Sequence, residues 1–412
     1  MTKLIYAALL AVGASTAHAQ ELSPTLQEKK EWVKEVEERD YLYWKRVIDR
    51  LEVQDEWSPP DSWFAPRVVV EGGDAPYFPS QTTKQTISES ALHEAWSYAL
   101  ERNTQALLIL HKGQSVAELY APDHPKGSTV KARSMTKSLM GILFGIAIDE
   151  GDIGGLDDPI KIYVSEWADD PRGDLSIRTL LHNTSGLEFP LTAEPGSKAS
   201  YLLNGTDVDQ TALTYELDPT YSGRFMLNNV TTQVLGIALQ RATGQPFNSY
   251  LSQKLWQPIG AHRALMKQDT IGGRVVTYCC MQGSATDWVR VGQLLLNDGL
   301  APDGARVLPR GWVKTMLEPS EDNPNYGLHI WLGSPFTPLR SYAPPLEMAV
   351  ANTHSEPFKA DDLFYFDGGA NTRVWIVPSE DLVIARLGNR PPKALGFDEA
   401  FIPNAIIDGI VR

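Results

Sequence analysis

Cysteine is scarce here: the chain of 412 residues has two, Cys279 and Cys280, and they are neighbours. Adjacent cysteines seldom reach disulfide geometry, so the sequence predicts no structural disulfide. Without a His partner motif the pair makes no zinc site either. No cysteine follows the N-terminal leader, which speaks against lipid attachment there. Long apolar runs are missing too. No segment after residue 19 approaches the roughly 18 uncharged apolar residues that cross a bilayer. Basic runs are also lacking. The formal charge is -14, and phosphate contacts need clustered Lys and Arg, so nucleic acid is not an expected partner. The chain has no G-x-S-x-G elbow, no H-x-x-x-H pair and no phosphate loop. The pattern therefore asks for neither a metal nor a cofactor.

What is present is an ordinary globular balance, 42% hydrophobic and 21% charged, enough for a sizeable core. Residues 1–19 read as an export signal: Lys3, an apolar stretch from Leu4 to Gly13, then Ala17-His18-Ala19 as a cleavage site before Gln20. Residues 20–66 form a charged extension and linker. Trp32 to Val36 reads as amphipathic helix packed on the outside of the main domain, and Pro59, Pro60 and Pro66 punctuate the linker. Residues 67–412 form the main domain. Ala106 to His111 and Val116 to Tyr120 predict a hairpin, and Ser134 to Asp149 a helix stopped by Gly151. The middle, about residues 155–285, reads as mainly helical; the clearest periods there and just beyond it are Val230 to Arg241 and Asp287 to Leu296. Arg373 to Val377 and Leu382 to Leu387 predict a second hairpin, and Ala400 to Val411 a closing helix. That order implies an α+β fold, an antiparallel sheet flanked by helices with a mainly helical insertion.

A serine hydroxyl is a weak nucleophile until a base sits beside it. Ser134-Met135-Thr136-Lys137 places a hydroxyl and an amine on one helical face, at the positive end of an apolar helix. Burial and the dipole both push a lysine toward its neutral form, which can take the serine proton. The spacing alone is weak evidence, since Ser128-Thr129-Val130-Lys131 repeats it. That copy opens no apolar helix, whereas Ser134 does. A serine at a helix start with a solvated lysine remains the competing interpretation of Ser134 and Lys137.

Three segments carry a resemblance. Arg133-Ser134-Met135-Thr136-Lys137-Ser138, with the helix after it, resembles the nucleophile helix of class C β-lactamases, family VIII esterases and 6-aminohexanoate-dimer hydrolases. Ile177 to Leu187 is similar to the family segment I-x-x-L-L-x-H-T-S-G-L. Gly283-Ser284-Ala285-Thr286-Asp287-Trp288 to Gly299 resembles its G-x-x-A-T-x-x-D-W helix. The resemblance covers about residues 90–412 and implies the β-lactamase and penicillin-binding-protein fold, with Ser134 as nucleophile and Lys137 beside it.

The chain also departs from that pattern. Family members carry F-x-Y-x-N, whose tyrosine relays protons. Here Phe225-Met226-Leu227-Asn228-Asn229 puts Leu227 at the tyrosine and keeps the amide at Asn229. Leucine cannot move a proton. Tyr221 is the preferred substitute, with Tyr201 and Tyr215 farther back; the other option is Lys137 acting unaided. The third motif, K-T-G or H-x-G, falls on Phe366-Asp367-Gly368. The glycine survives, and the Gly369 N–H is expected to join that of Ser134 in an oxyanion hole. The cation that meets a β-lactam carboxylate is replaced by Phe366 and Asp367, and the direction of Arg373 is open. His182 reads as structural and His354 as a loop residue.

These readings together imply a periplasmic or secreted serine hydrolase of a small-molecule ester or linear amide. Leu227, Asn229, Phe366, Asp367 and Gly368 are expected to line its substrate site. Two rivals remain, a catalytically weak binding protein that keeps the fold, and a β-lactamase or DD-peptidase.

Overall fold

The structure, a computed structural model, describes residues 38–52, 59–73, 75–76, 78–80, 85–190, 193–347 and 351–412. The export signal, and the helix expected around Trp32, lie outside them.

The main sheet has six strands, all antiparallel to their neighbours. Their order is Gln114–Tyr120, Thr104–His111, Leu382–Gly388, Thr372–Val377, Phe364–Gly368 and Trp331–Leu332. Both expected hairpins are present. The first turns at Lys112 and Gly113, both at positive φ, the two-residue geometry that suits the twist of paired strands. Each strand feeds two cores. Leu108, Leu110, Phe366, Val374 and Ile376 face one side, and Leu107, Ile109, Tyr365, Trp375 and Val377 the other. A sheet covered on both faces needs apolar residues at successive positions, which the central strands have. Helices Glu89–Glu101 and Phe401–Asp408 cover one face. Helix Ala285–Leu296 covers the other, opened by a Ser284–Asp287 capping box.

Helix Ser138–Asp149 packs against the helix Asn229–Thr243. It is buried from Ser138 to Ala147, as a helix apolar on all sides must be. The expected helix from Ser134 begins later: Arg133–Lys137 is a 3-10 turn that leads into it. The middle of the chain is helical as expected, with Asn229–Thr243 its longest element, ended by Gly244 in the left-handed region. A second sheet was not foreseen. Strands Arg67–Val70, Ala264–Lys267, Gln282–Ser284 and Thr129–Lys131 pair antiparallel in that order. Each is four residues or shorter, too short for a period-2 signal to emerge.

The described part of the N-terminal extension packs on the body. Helix Glu38–Leu51 buries Arg46, whose guanidinium donates to the carbonyls of Ala65, Asn204, Gly205, Gln268 and Asp269. Tyr43 donates or accepts at Ser200 Oγ (2.8 Å), accepts from Gly196 N–H (2.7 Å), and stacks on Tyr201. The expected linker then folds over the body as the turn Asp61–Phe64, with Trp63 and Phe64 buried.

Removing Arg46 would strip donors from several buried carbonyls at once. Arg46→Met is expected to lower the unfolding free energy by about 3 kcal/mol, read from the urea midpoint at constant slope. A loss under about 1 kcal/mol would show that the helix is held by its apolar face instead.

Candidate active site

The 3-10 turn puts Ser134 half-buried at the surface end and Lys137 buried beneath it. Arg133 sits at φ 53°, the left-handed region that an L-residue enters only when neighbours hold it. Lys137 Nζ lies 3.1 Å from Ser134 Oγ, 2.8 Å from Asn229 Oδ1 and 2.8 Å from the Tyr278 carbonyl oxygen. A neutral amine has two N–H bonds and one lone pair. The two acceptors take the N–H bonds, which leaves the lone pair for the hydroxyl proton of Ser134. Burial pushes Lys137 down to about 7, against an opposing pull from Asp367. The amine is thus poised between its two forms near neutral pH.

Asn229 is placed by its neighbours. Asn228 caps the helix Asn229–Thr243 by accepting from Val230 N–H, and its amide donates to the carbonyls of Leu187 and Glu188. Its own N–H donates to Asn183 Oδ1. Asn183, buried in the turn after Ile177–Leu181, donates in turn to the Tyr326 hydroxyl at 3.2 Å. The buried His329 completes this floor with Nε2 3.0 Å from Thr232 Oγ1, and burial pushes it down to about 3, so it stays neutral. His182 is half-buried beside Asn183, and its buried Nε2 has no hydrogen-bond partner among the described residues. His354 is a loop residue as expected, just after the strand Ala351–Thr353, and is buried against Phe358.

The strand Phe364–Gly368 ends against the nucleophile turn. A Cβ on Gly368 would fall 2.5 Å from the Ala132 carbonyl oxygen and 3.1 Å from Met135 Cγ, so only glycine lets the strand come this close. Gly369 follows at once. Phe366 is fully buried and packs on Trp288, so its side chain supports the site from the core and does not face a substrate. Asp367 is buried on the opposite face. It pairs with Arg373 at 2.5 Å, accepts from Asn352 at 2.8 Å and from the Tyr342 hydroxyl at 3.2 Å. Arg373 also holds Glu399 through two bonds of 2.6 and 2.7 Å and donates to Asn352 Oδ1. The open direction of Arg373 is resolved: it is a structural cation, buried and engaged.

Leu227 is half-buried against the cluster that contains Phe225, Tyr326 and Trp331, and its N–H donates to the Tyr342 carbonyl at 2.7 Å. Among the described residues no tyrosine hydroxyl bonds to Ser134 or Lys137. Tyr221 ends the short turn Pro219–Tyr221 and is half-buried, with no hydrogen bond from its hydroxyl among the described residues. Tyr201 is exposed on Tyr43, and Tyr215 is buried with its hydroxyl unbonded among the described residues.

The expectation of no disulfide is corrected: Cys279 and Cys280 are bonded to each other. Cys280 adopts φ 82°, and this turned backbone brings adjacent cysteines together where an extended chain would part them. Sequence reasoning also missed Tyr278. Its contribution is a carbonyl, which every residue has, so no side-chain pattern could announce it.

The family model described as Beta-lactamase matches residues 98–405. The chain belongs to the Beta-lactamase family. The 6-aminohexanoate-dimer hydrolase of Paenarthrobacter ureafaciens is 29% identical over 232 residues, 53% of this chain and 58% of that protein. A second curated relative, from Escherichia coli O157:H7, bears the name "Putative D-alanyl-D-alanine carboxypeptidase". It is 28% identical over 114 residues, 25% of this chain and 26% of that protein. The matches thus span about half, or less, of these relatives. Among solved structures, one named "Putative 6-aminohexanoate-dimer hydrolase" from Bacillus anthracis superposes with a TM-score of 0.67 at 18% identity, covering 93% of this chain and 97% of that one. A class C β-lactamase from Rhodobacter sphaeroides gives 0.55 at 17%, covering 78% and 98%. These likenesses support the β-lactamase-like fold, and the family is one of serine hydrolases.

Gly368→Ala forces a Cβ into the Ala132 carbonyl and must push the strand away from Ser134. The variant is expected to melt within a few degrees of wild type yet react with a fluorophosphonate probe at least about tenfold more slowly. Wild-type labelling in Gly368→Ala would mean that the strand end takes no part in the site.

Proposed function

We propose that this chain is an exported serine hydrolase that cleaves an ester or a linear amide through an acyl-enzyme on Ser134. The observation that carries this reading is the buried Lys137 amine within hydrogen-bond distance of Ser134 Oγ, Asn229 Oδ1 and the Tyr278 carbonyl oxygen; in its neutral form Asn229 and Tyr278 can take its two N–H bonds and leave the lone pair to Ser134. In the proposed reaction Ser134 Oγ attacks the carbonyl carbon as its proton passes to Lys137 Nζ. The N–H groups of Ser134 and Gly369 hold the oxyanion. Lys137 then gives the proton to the departing alcohol or amine. Water enters and attacks the acyl carbon as it loses a proton to Lys137; Ser134 Oγ then leaves, takes that proton back from Lys137, and the acid is released.

The substrate preference rests on the third motif. A β-lactam or a peptidoglycan stem brings a carboxylate, and the motif offers buried Phe366 and ion-paired Asp367 where the family pattern has a cation. A neutral acyl group suits this wall better. Lys137 serves as the base unaided in this reading, since the Tyr221 hydroxyl makes no bond to it. The binding-protein alternative rests on Leu227 alone, and the preserved serine and lysine pair weighs against it. Export rests on the leader in residues 1–19.

Ser134→Ala is expected to abolish the mass adduct formed with a fluorophosphonate, and Ser128→Ala to leave it intact. Lys137→Ala should lower p-nitrophenyl butyrate turnover by about 10²–10⁴-fold. Tyr221→Phe should stay within about twofold of wild type. An adduct that moves with Ser128 instead would sink the assignment. Expression in a Gram-negative host should yield a periplasmic product beginning near Gln20; a cytoplasmic product retaining Met1 would contradict export.

The rate of acylation should follow the neutral fraction of Lys137. Its shifted value lies below the ordinary lysine range, so activity is lost as pH falls through about 7 and is fully present above it. A rate that climbs only above about pH 9 would show an ordinary, solvated lysine.

A further inference from the structure

The segment Tyr278 to Met281 runs alongside the nucleophile turn and is stitched to it at several points. Tyr278 O accepts from Lys137 Nζ at 2.8 Å. The Cys280 N–H donates to the Arg133 carbonyl at 3.2 Å, the Ala132 N–H donates to the Met281 carbonyl at 2.9 Å, and the Met281 N–H donates to Thr136 Oγ1 at 3.3 Å. In the middle of this seam stands the Cys279–Cys280 disulfide. Cys280 is buried under Trp63 and Phe64, while Cys279 is half-buried and open to a reagent.

Cys280 occupies the left-handed region at φ 82°, which a free side chain disfavours. Closing a small ring through the two side chains limits how far the backbone can rotate away from it. The backbone so held carries the Tyr278 carbonyl on one side and the Cys280 N–H on the other. These bond to Lys137 itself and to the carbonyl of Arg133, the residue just before Ser134.

We propose that the Cys279–Cys280 disulfide is a positioning element for Lys137, and that a dithiol which reduces it turns acylation down. The inference rests on the reading of Lys137 as the base for Ser134. In the reductive step a thiolate of the dithiol attacks Cys279 Sγ and Cys280 leaves as a thiolate. The second thiolate of the reagent then attacks its own mixed-disulfide sulfur and releases Cys279. The S–S bond has gained two electrons and two protons, and the reagent ends as a disulfide. Cys280 is then free to leave its left-handed conformation, and the Tyr278 carbonyl moves off the amine. An N–H of Lys137 loses its acceptor, the lone pair is no longer fixed on Ser134, and water reaches the amine. An oxidising compartment, where the export leader would send the chain, keeps the pair closed.

The test uses the full chain, purified without reductant and assayed with p-nitrophenyl butyrate before and after dithiothreitol. Alkylation in denaturant followed by intact-mass measurement counts the thiols. Reduction is expected to lower kcat by at least about tenfold with KM within about twofold. It should move the acid limb of the pH profile upward as the amine regains water, and re-oxidation should reverse both. Cys279→Ser/Cys280→Ser should match the reduced enzyme. Cys279→Ser/Cys280→Gly should recover most of the activity, because glycine holds a positive φ without a ring. Neither variant should respond to dithiothreitol, and melting curves confirm that both are folded. Equal kcat in the reduced and oxidised states, free thiols in the protein as isolated, or a glycine variant no better than the serine one would each overturn the proposal. If the oxidised wild type formed no adduct on Ser134, the hydrolase reading itself would fall, and this inference with it. An adduct formed equally fast in both states would remove this inference alone.

Discussion

An ammonium group taken out of water has to be paid for, and the Lys137 amine is buried beside a hydroxyl with no carboxylate among the described residues within hydrogen-bond reach. Its nitrogen lies within hydrogen-bond distance of Ser134 Oγ, Asn229 Oδ1 and the Tyr278 carbonyl. Neutral acceptors stabilise an N–H bond but compensate poorly for a full charge in a low-dielectric setting. The proton therefore leaves near neutral pH, and a group that would be a spectator at the surface becomes a base. Much of the surrounding structure serves this placement. The apolar helix Ser138–Asp149 draws the lysine inward, Asn228 and Asn183 fix the start of the helix that supplies Asn229, and the segment Tyr278 to Met281 supplies the carbonyl.

The wall formed by the strand Phe364–Gly368 keeps the backbone of the family motif while its side chains have changed purpose. Phe366 fills core space against Trp288. Asp367, Arg373 and Glu399 form a buried group tied together by Asn352 and Asn371. Both carboxylates raise Arg373 further above its ordinary value, and burial pushes Glu399 up despite the arginine beside it. Breaking one member would strand the others in the interior, the costly case for buried ion pairs. The negative Asp367 also opposes the effect of burial on Lys137, so the network and the base are electrostatically linked.

Much of this was legible in the sequence wherever a side-chain pattern carried it. Both hairpins, the apolar helix after Ser134 and the capped helix from Ala285 follow from period and turn chemistry. Ser134 and Lys137 lie 3.1 Å apart on the turn that the motif marks, and Asn229, expected to line the substrate site, bonds Lys137. Four features escaped for physical reasons. The small second sheet is built from strands too short to show a period. The 3-10 turn at Arg133 differs from an α-helix by one hydrogen-bond register, which composition does not encode. The Tyr278 contribution belongs to the backbone. The cysteine bond goes with the left-handed conformation of Cys280, a backbone state that no side-chain pattern announces. Tyr221 is the reverse case. Nearness in sequence to the motif suggested a role, and the folded chain gives its hydroxyl no bond to the reacting pair.

The central claim, a lysine beside Ser134 that loses its proton near neutral pH, is tested most directly by titrating Lys137 itself. Carbon-13 at Cε reports protonation of the adjacent amine, and Lys137→Met identifies the resonance by its disappearance. The account places the midpoint at about 7. A Lys137 that titrates near the ordinary value of about 10.4 would contradict it.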